Sequence, residues 1–142
     1  MMEAGPPRNV VQPERFAFTP ENMALARAAM AKYPEGKQQS AIMALLHLAQ
    51  DQHGWLPTVA ITYCADLVGM PHIRAFEVAS FYTLYHRRPV GRHHVQVCTS
   101  ISCCLRGSDD LLHACEKKLE ITAHDHGVTP DGQFSLEEVE CI

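Results

Sequence analysis

The sequence lacks the glycine-rich motifs with which a single chain binds phosphates or dinucleotides. Neither Gly-x-Gly-x-x-Gly nor a phosphate-binding loop occurs in its 142 residues. It also has no serine, histidine and acid set that suggests a hydrolase. No pocket for nicotinamide or flavin can be recognised in it. We therefore do not expect a complete active site on this chain alone.

Long apolar runs and a large excess of one charge are also missing. No stretch is long enough to span a bilayer, so direct membrane insertion is not expected. A net charge of −4 and a pI of about 6.1 give no reason to expect nucleic-acid binding. Residues 1–7 resemble neither a secretory signal nor an organelle transit peptide. These features indicate a protein of a bacterial-type cytoplasm, or one whose targeting segment is absent from this sequence.

Cysteine, in contrast, is well represented, with six residues. Without a secretory signal, metal binding or redox chemistry is favoured over structural disulfides. Cys64 and Cys115 lie within helical patterns, and we expect both to be buried as small apolar side chains. Cys98 and Cys103 lie in a predicted loop between a strand and a helix, and Cys141 ends a second strand-like run. Thiolates presented at strand ends are typical of iron–sulfur sites.

The spacing of Cys98 and Cys103 is too wide for a Cys-x-x-Cys redox motif. By spacing alone, a [2Fe–2S] cluster, a structural zinc, a disulfide and free thiols all remain open. On an extended backbone neighbouring side chains point to opposite sides, so we expect Cys104 to face away from the partner of Cys103. None of the nine histidines forms a Cys-x-His pair beside the loop, and a surface or structural role is expected for each.

The periodicity of the chain predicts an α+β fold in three parts. Residues 1–18 form an irregular arm, residues 19–88 an N-terminal four-helix bundle, and residues 89–142 a thioredoxin-like α/β domain that is incomplete at its carboxyl terminus. Thr19 should cap the first helix, and Gly54 and Gly69 should end the second and third. At Pro89 the apolar period changes from helical to alternating.

Several side-chain placements follow from the same patterns. Phe76, Phe81 and Leu84, predicted on the fourth helix, should pack within the bundle or between the bundle and the α/β layer. A helix from Ser108, with Ser108 as its N-cap, should turn a set of apolar residues inward. These residues are Leu111, Leu112, Cys115 and Leu119. Residues 120–122 are a candidate short strand, and residues 134–141 a final strand.

At these residues the sequence resembles the small thioredoxin-like [2Fe–2S] subunit family of respiratory NADH:quinone oxidoreductase, complex I. The resemblance covers roughly residues 20–142 and is carried by specific motifs. They are Ser40-Ala41-Ile42, residues 45–50, His53-Gly54-Trp55-Leu56-Pro57, Gly69-Met70-Pro71, Glu77-Val78-Ala79-Ser80-Phe81-Tyr82-Thr83, Pro89-Val90-Gly91, Val95-Gln96-Val97-Cys98, Cys103, Leu105-Arg106-Gly107-Ser108 and Asp131-Gly132 through Glu138-Val139-Glu140-Cys141.

The resemblance implies a cluster held by a Cys-x4-Cys pair and a later Cys-x3-Cys pair. Cys98 and Cys103 match the first pair, and Cys141 matches the first member of the second. The chain stops at Ile142, before the fourth cysteine, and we interpret it as a truncated form. No catalytic residue is implied on this chain.

The implied function is electron transfer, as part of an enzyme, beside a larger flavoprotein that carries FMN and oxidises NADH. Other iron–sulfur subunits of the peripheral arm would be further partners. The arm would lie on the cytoplasmic side of the bacterial inner membrane, or in the mitochondrial matrix of a eukaryote. Two alternatives stay open: the equivalent diaphorase subunit of a soluble NAD-linked formate dehydrogenase or NAD-reducing hydrogenase, and a non-redox subunit that braces the flavoprotein.

Overall fold

The computed structural model describes residues 10–141. The greater part of the predicted arm at residues 1–9, and Ile142, lie outside the described residues. The chain divides into two compact units between Pro89 and Val90. We call Met1–Pro89 the helical unit and Val90–Ile142 the strand unit. Across residues 10–141, no helix has both the length and the apolar character needed to cross a membrane.

The helical unit consists of α-helices joined by short connections. They are α1 (Pro20–Met30), α2 (Ile42–His53), α3 (Thr58–Val68) and α4 (His72–Phe81), with a short 3₁₀ helix at Gln38–Ala41 before α2. The hydroxyl of Thr19 accepts a hydrogen bond from the backbone N–H of Asn22 at 3.3 Å, which confirms the predicted cap. Gly54 and Gly69 adopt left-handed conformations, with φ of 88° and 68°, and end α2 and α3 as predicted.

The core of the helical unit is built from aliphatic side chains of α2 and α3 and the turn between them. Its largest fully buried apolar side chains are Leu45, Leu46, Leu56, Pro57, Ile61 and Cys64. Burial removes these side chains from water almost completely, which stabilises the unit.

The predicted packing of α4 is partly wrong. Phe81 is 65% exposed, so its predicted packing is wrong. α4 ends at Phe81 and Leu84 lies outside the helix, but the partly buried Leu84 side chain packs against the helical core as predicted. Ala75 and Ala79, four residues apart, are the buried residues of α4. Small side chains thus face the core, and Phe76 is only partly buried against it.

The strand unit contains a two-stranded parallel sheet and two helices. The elements are β1 (His93–Cys98), α5 (Ile101–Cys104), α6 (Ser108–Leu119) and β2 (Phe134–Val139). In the parallel register His93 lies opposite Phe134, and Cys98 lies opposite Val139. Parallel strands require a crossover, and here the crossover includes α6. Residues 120–122 form no strand, because Glu120 takes the left-handed conformation that ends α6.

The core of the strand unit is much smaller. Val97, Ala123 and Leu136 are its buried apolar residues among those described. Around them lie partly buried side chains: Val95, Leu112, Cys115, Leu119 and Ile121. Leu111 is 56% exposed, so its predicted inward orientation is wrong. Gly107 rather than Ser108 is the N-cap residue of α6, and the Ser108 hydroxyl donates instead to the Cys104 sulfur at 3.6 Å.

Candidate metal centre

The parallel pairing of β1 and β2 brings Cys98 and Cys141 to the same edge of the sheet. Cys98 is the last residue of β1 and lies opposite Val139, the last residue of β2. The backbone N–H of Thr99 continues the ladder by donating to the Val139 carbonyl at 3.0 Å. Cys141 follows two residues later and is exposed. Because parallel strands share one carboxyl-terminal edge, two cysteines far apart in sequence become neighbours.

Cys103 reaches the same place through a single helical turn. The predicted loop between β1 and α6 contains α5, in which Cys104 N–H donates to the Ser100 carbonyl at 2.9 Å. This turn brings the Cys103 thiol near the Cys98 sulfur, and the interaction lowers the pKa of Cys98 and raises that of Cys103. The prediction of a loop at this position is therefore corrected to a short helix.

The three sulfurs interact electrostatically, with Cys98 at the centre. The pKa of Cys98 is lowered, because the backbone N–H and hydroxyl of Ser100 donate to its sulfur, as do the thiols of Cys103 and Cys141. The pKa of Cys103 is raised, because its thiol donates to Cys98 and because it is partly desolvated close to that sulfur. Of Cys98 and Cys103, Cys98 therefore ionises at the lower pH, and the thiolate is the form that binds metals.

Cys104 is held by a different set of contacts. Its thiol donates to the Thr99 carbonyl at 3.2 Å and lies 3.5 Å from a carboxylate oxygen of Asp109. These contacts occupy the Cys104 thiol within its own segment. We expected Cys104 to face away from the partner of Cys103 because neighbouring side chains alternate on an extended backbone. That reason was wrong, since both residues lie on a helical turn.

The two cysteines predicted on helices lie away from the metal-site candidates. Cys64 is fully buried in the helical unit, where its thiol donates to the Leu45 carbonyl at 3.6 Å. Burial raises the pKa of Cys64 to about 12. Cys115, on α6, is partly buried against the core of the strand unit. Cys64 therefore behaves as the predicted apolar side chain, while Cys115 is less buried than expected.

One histidine of the strand unit makes hydrogen bonds across the sheet. His94, on β1, lies 2.7 Å from the Ser135 hydroxyl and 3.0 Å from a carboxylate oxygen of Glu137 through its two ring nitrogens. This cross-strand network follows from the register of the sheet, which pairs His94 with Ser135. The sequence pattern alone did not single out these partners.

The sequence reasoning also missed Ser100. Its hydroxyl oxygen accepts a hydrogen bond from the backbone N–H of Cys141 at 2.8 Å. The same hydroxyl and the Ser100 backbone N–H donate to the Cys98 sulfur. Its place two residues after Cys98 is the signal that was available, because main-chain and hydroxyl donors within the turn after a cysteine reach its sulfur.

The donor set at the strand ends fits a thiophilic metal centre. Cys98, Cys103 and Cys141 supply sulfur donors, and soft thiolates select zinc or iron–sulfur clusters over hard cations such as Mg²⁺. Hydrogen-bond donors aimed at the Cys98 sulfur are the kind of contact that stabilises a metal-bound thiolate. The residues present are thus suited to a [2Fe–2S] cluster, which thiolates hold.

Comparison with known proteins favours a [2Fe–2S] cluster over zinc for this chain. The sequence model of the family described as thioredoxin-like [2Fe–2S] ferredoxin matches residues 26–142. Among curated proteins, a NADH-quinone oxidoreductase subunit of Rickettsia bellii is 50% identical over 128 residues, which are 89% of this chain and 75% of that protein. Its counterpart in Rickettsia conorii is 48% identical with the same coverage. A NADH-quinone oxidoreductase subunit of Rhizobium meliloti is 49% identical over 134 residues, 94% of this chain and 48% of that protein.

Proposed function

The chain belongs to the thioredoxin-like [2Fe–2S] ferredoxin family, and on that premise we propose that it is an electron-transfer subunit of a NADH-quinone oxidoreductase. The observation that carries the proposal is the gathering of Cys98, Cys103 and Cys141 at one edge of the sheet. The relatives, which are named as subunits of this oxidoreductase, support the parent complex. The chain is accordingly part of an oxidoreductase and works together with other subunits.

Cys98, Cys103 and Cys141 are the residues that would hold the [2Fe–2S] cluster, with the fourth ligand a cysteine expected beyond Ile142. When bound, such a cluster accepts and passes on one electron at a time. The chain's own residues provide the thiolates, and the Ser100 donors stabilise negative charge on the Cys98 sulfur. The exposed Cys141 and partly buried Cys98 and Cys103 lie near the protein surface, where a partner can exchange electrons with the site.

The proposed direct partner is a flavoprotein subunit that carries FMN and oxidises NADH. A nicotinamide gives up two electrons together as a hydride, whereas iron–sulfur clusters carry them singly, so a flavin must lie between the two. Ile101 and Leu105, at the two ends of the α5 turn, are 82% and 83% exposed. Two such apolar side chains beside Cys103 support burial of this surface against another subunit.

Further iron–sulfur subunits of the peripheral arm are proposed as neighbours in the same complex. We place that arm on the cytoplasmic side of a bacterial inner membrane, in line with the bacterial relatives. We also propose that α1 to α4 form a four-helix bundle that precedes the thioredoxin-like domain.

The ligand set is tested by removing one sulfur at a time. Cys98→Ser and Cys103→Ser in the full-length subunit should abolish cluster binding, because each removes a thiolate ligand. The measurements are iron per chain after anaerobic reconstitution with iron and sulfide, and the paramagnetic-resonance spectrum after dithionite reduction. A paramagnetic-resonance signal that appears in the wild-type protein on reduction also indicates an electron carrier and not a purely structural subunit.

Three substitutions serve as controls for this test. Cys104→Ser is the matched control, since it changes the residue adjacent to Cys103 on the same turn. Cys64→Ala and Cys115→Ala remove thiols at sites outside the proposed ligand set. All three should retain the wild-type iron content and spectrum. Loss of iron in Cys104→Ser equal to that in Cys103→Ser would make the assignment wrong.

A further inference from the structure

We propose that Ser100 is a positioning residue of the cluster site, which joins the segment of Cys98 and Cys103 to that of Cys141. The inference deepens the proposed function and rests on the ligand set given there. Its basis is the hydrogen bond from Cys141 N–H to the Ser100 hydroxyl oxygen at 2.8 Å, which links residues 41 apart in sequence. The same hydroxyl donates to the Cys98 sulfur.

Each polar group of Ser100 has a partner within this site. The backbone N–H donates to the Cys98 sulfur, and the carbonyl accepts from Cys104 N–H at 2.9 Å. A serine hydroxyl has one proton to donate and lone pairs with which to accept. The hydroxyl of Ser100 accepts from Cys141 and donates to Cys98, so the two contacts are compatible and do not compete.

A simple capping role does not account for this arrangement. Ser100 occupies the N-cap position of α5, where a serine side chain ordinarily accepts from a backbone N–H in the first turn. Its side chain makes no such hydrogen bond. The hydroxyl is directed to the proposed ligands Cys98 and Cys141 instead.

The bond to Cys141 also extends the connection between the strands. The ladder of β1 and β2 ends with Thr99 N–H donating to the Val139 carbonyl at 3.0 Å. Cys141 lies beyond that point and is exposed, so its position depends on contacts outside the sheet. The hydrogen bond to Ser100 continues the inter-strand connection to the residue that must present its sulfur.

Two separate consequences follow from this geometry. The Ser100 hydroxyl, as a donor to the Cys98 sulfur, favours the more negative, reduced form of the site. Loss of this hydroxyl should therefore lower the reduction potential. The tether to Cys141 restricts the backbone that carries a ligand, and its loss should weaken retention of iron. A residue that only shaped the local turn would change neither quantity in the folded, loaded protein.

The test compares Ser100→Ala, Ser100→Thr and Ser102→Ala in the full-length subunit loaded with iron and sulfide. Ser102 is the matched control, because its hydroxyl donates to the Cys103 sulfur, whereas the backbone N–H of Cys141 donates to Ser100. The readouts are the midpoint potential, followed by paramagnetic resonance, and the rate of iron transfer to a chelator. Far-ultraviolet circular dichroism of the iron-free forms reports whether each variant folds.

Ser100→Ala should lower the midpoint potential and hold its iron about 10-fold less tightly, the usual effect of losing an outer-shell contact. Ser100→Thr keeps a hydroxyl and should restore both properties. Ser102→Ala should lower the potential but release iron at the wild-type rate. If Ser100→Ala folds but takes up no cluster while Ser100→Thr takes it up, the positioning role is also supported.

Other results would overturn the inference. The positioning role would be rejected if Ser100→Ala had the wild-type potential and iron-release rate. It would also be rejected if Ser102→Ala released iron as fast as Ser100→Ala, or if iron-free Ser100→Ala were unfolded. The proposed function fails differently. If Cys98→Ser keeps a full cluster, the ligand set itself is wrong, whereas loss of the cluster in Cys98→Ser with an unchanged Ser100→Ala rejects only the role of Ser100.

Discussion

The helical unit and the strand unit use the same side chain, cysteine, in opposite ways. Cys64 lies among aliphatic residues in the helical unit, and burial raises its pKa to about 12. Cys98 lies at a strand end among hydrogen-bond donors, which lower its pKa. The chemistry of a thiol in this chain is therefore decided by the hydrogen-bond donors and solvent around it, not by its residue type.

The two units also differ in how they hold their side chains in place. The helical unit has an extensive core, whereas the strand unit has Val97, Ala123 and Leu136 as its buried apolar residues among those described. In the strand unit, the ladder of β1 and β2 and the contacts of Ser100 position the cysteines. A small core combined with specific backbone contacts suits a site that must remain near the surface.

The largest expected difference between the units is in thiol reactivity. In the iron-free protein at pH 8, a thiol with a pKa near 12 is thiolate in only about 1 molecule in 10⁴, and burial hinders attack further. The lowered pKa of Cys98 means that its thiol ionises at lower pH, and the thiolate is the reactive form. Cys98 should therefore react with iodoacetamide orders of magnitude faster than Cys64. Mass spectrometry of the two peptides over time, from pH 6 to 9, measures the rates.

The denatured protein is the control for this comparison, since both thiols should then react at similar rates. The rate at Cys98 should also level off at a lower pH than the rate at Cys103, whose pKa is raised. Comparable rates at Cys64 and Cys98 in the folded protein would show that the contrast between the units is wrong.

The next largest effect concerns the small core of the strand unit. Leu136 is fully buried, and Leu136→Ala should lower the free energy of unfolding by about 2–5 kcal/mol, because it leaves a cavity that the few neighbouring side chains must fill. Leu111→Ala is the matched control on an exposed leucine and should cost less than about 0.5 kcal/mol. Urea denaturation followed by circular dichroism compares the two, and equal losses would contradict the small-core description.

The smallest expected effect is at Phe81 in the helical unit. Its side chain is 65% exposed and contacts the Tyr82 ring with centroids 5.0 Å apart. Phe81→Ala should change the free energy of unfolding by less than about 0.5 kcal/mol, as is usual for surface substitutions. Thermal melts of this variant and of Leu46→Ala, a fully buried control, test the point. A loss of several kcal/mol in Phe81→Ala would place the ring in the core after all.

The sequence was most informative where structure depends on neighbouring residues. Thr19, Gly54 and Gly69 correctly marked helix ends, because caps and left-handed glycines act within one turn. The pattern was less informative about orientation. It assigned Phe81 to the packed face of α4, but the helix turns Ala75 and Ala79 inward, since close approach to the core selects small side chains there.

By itself, the sequence determined the position of each cysteine relative to its local element. Cys98 ends an alternating strand, Cys64 lies on an apolar helix face, and the Cys-x4-Cys spacing carries the family resemblance. The family resemblance implied that Cys98 and Cys141 hold one cluster, but the strand register that brings them together and the contact of Ser100 with Cys141 are seen only in the folded chain. The physical reason is range: backbone propensities and caps act over a few residues, whereas the register that joins positions 41 apart depends on packing and strand pairing of the folded chain.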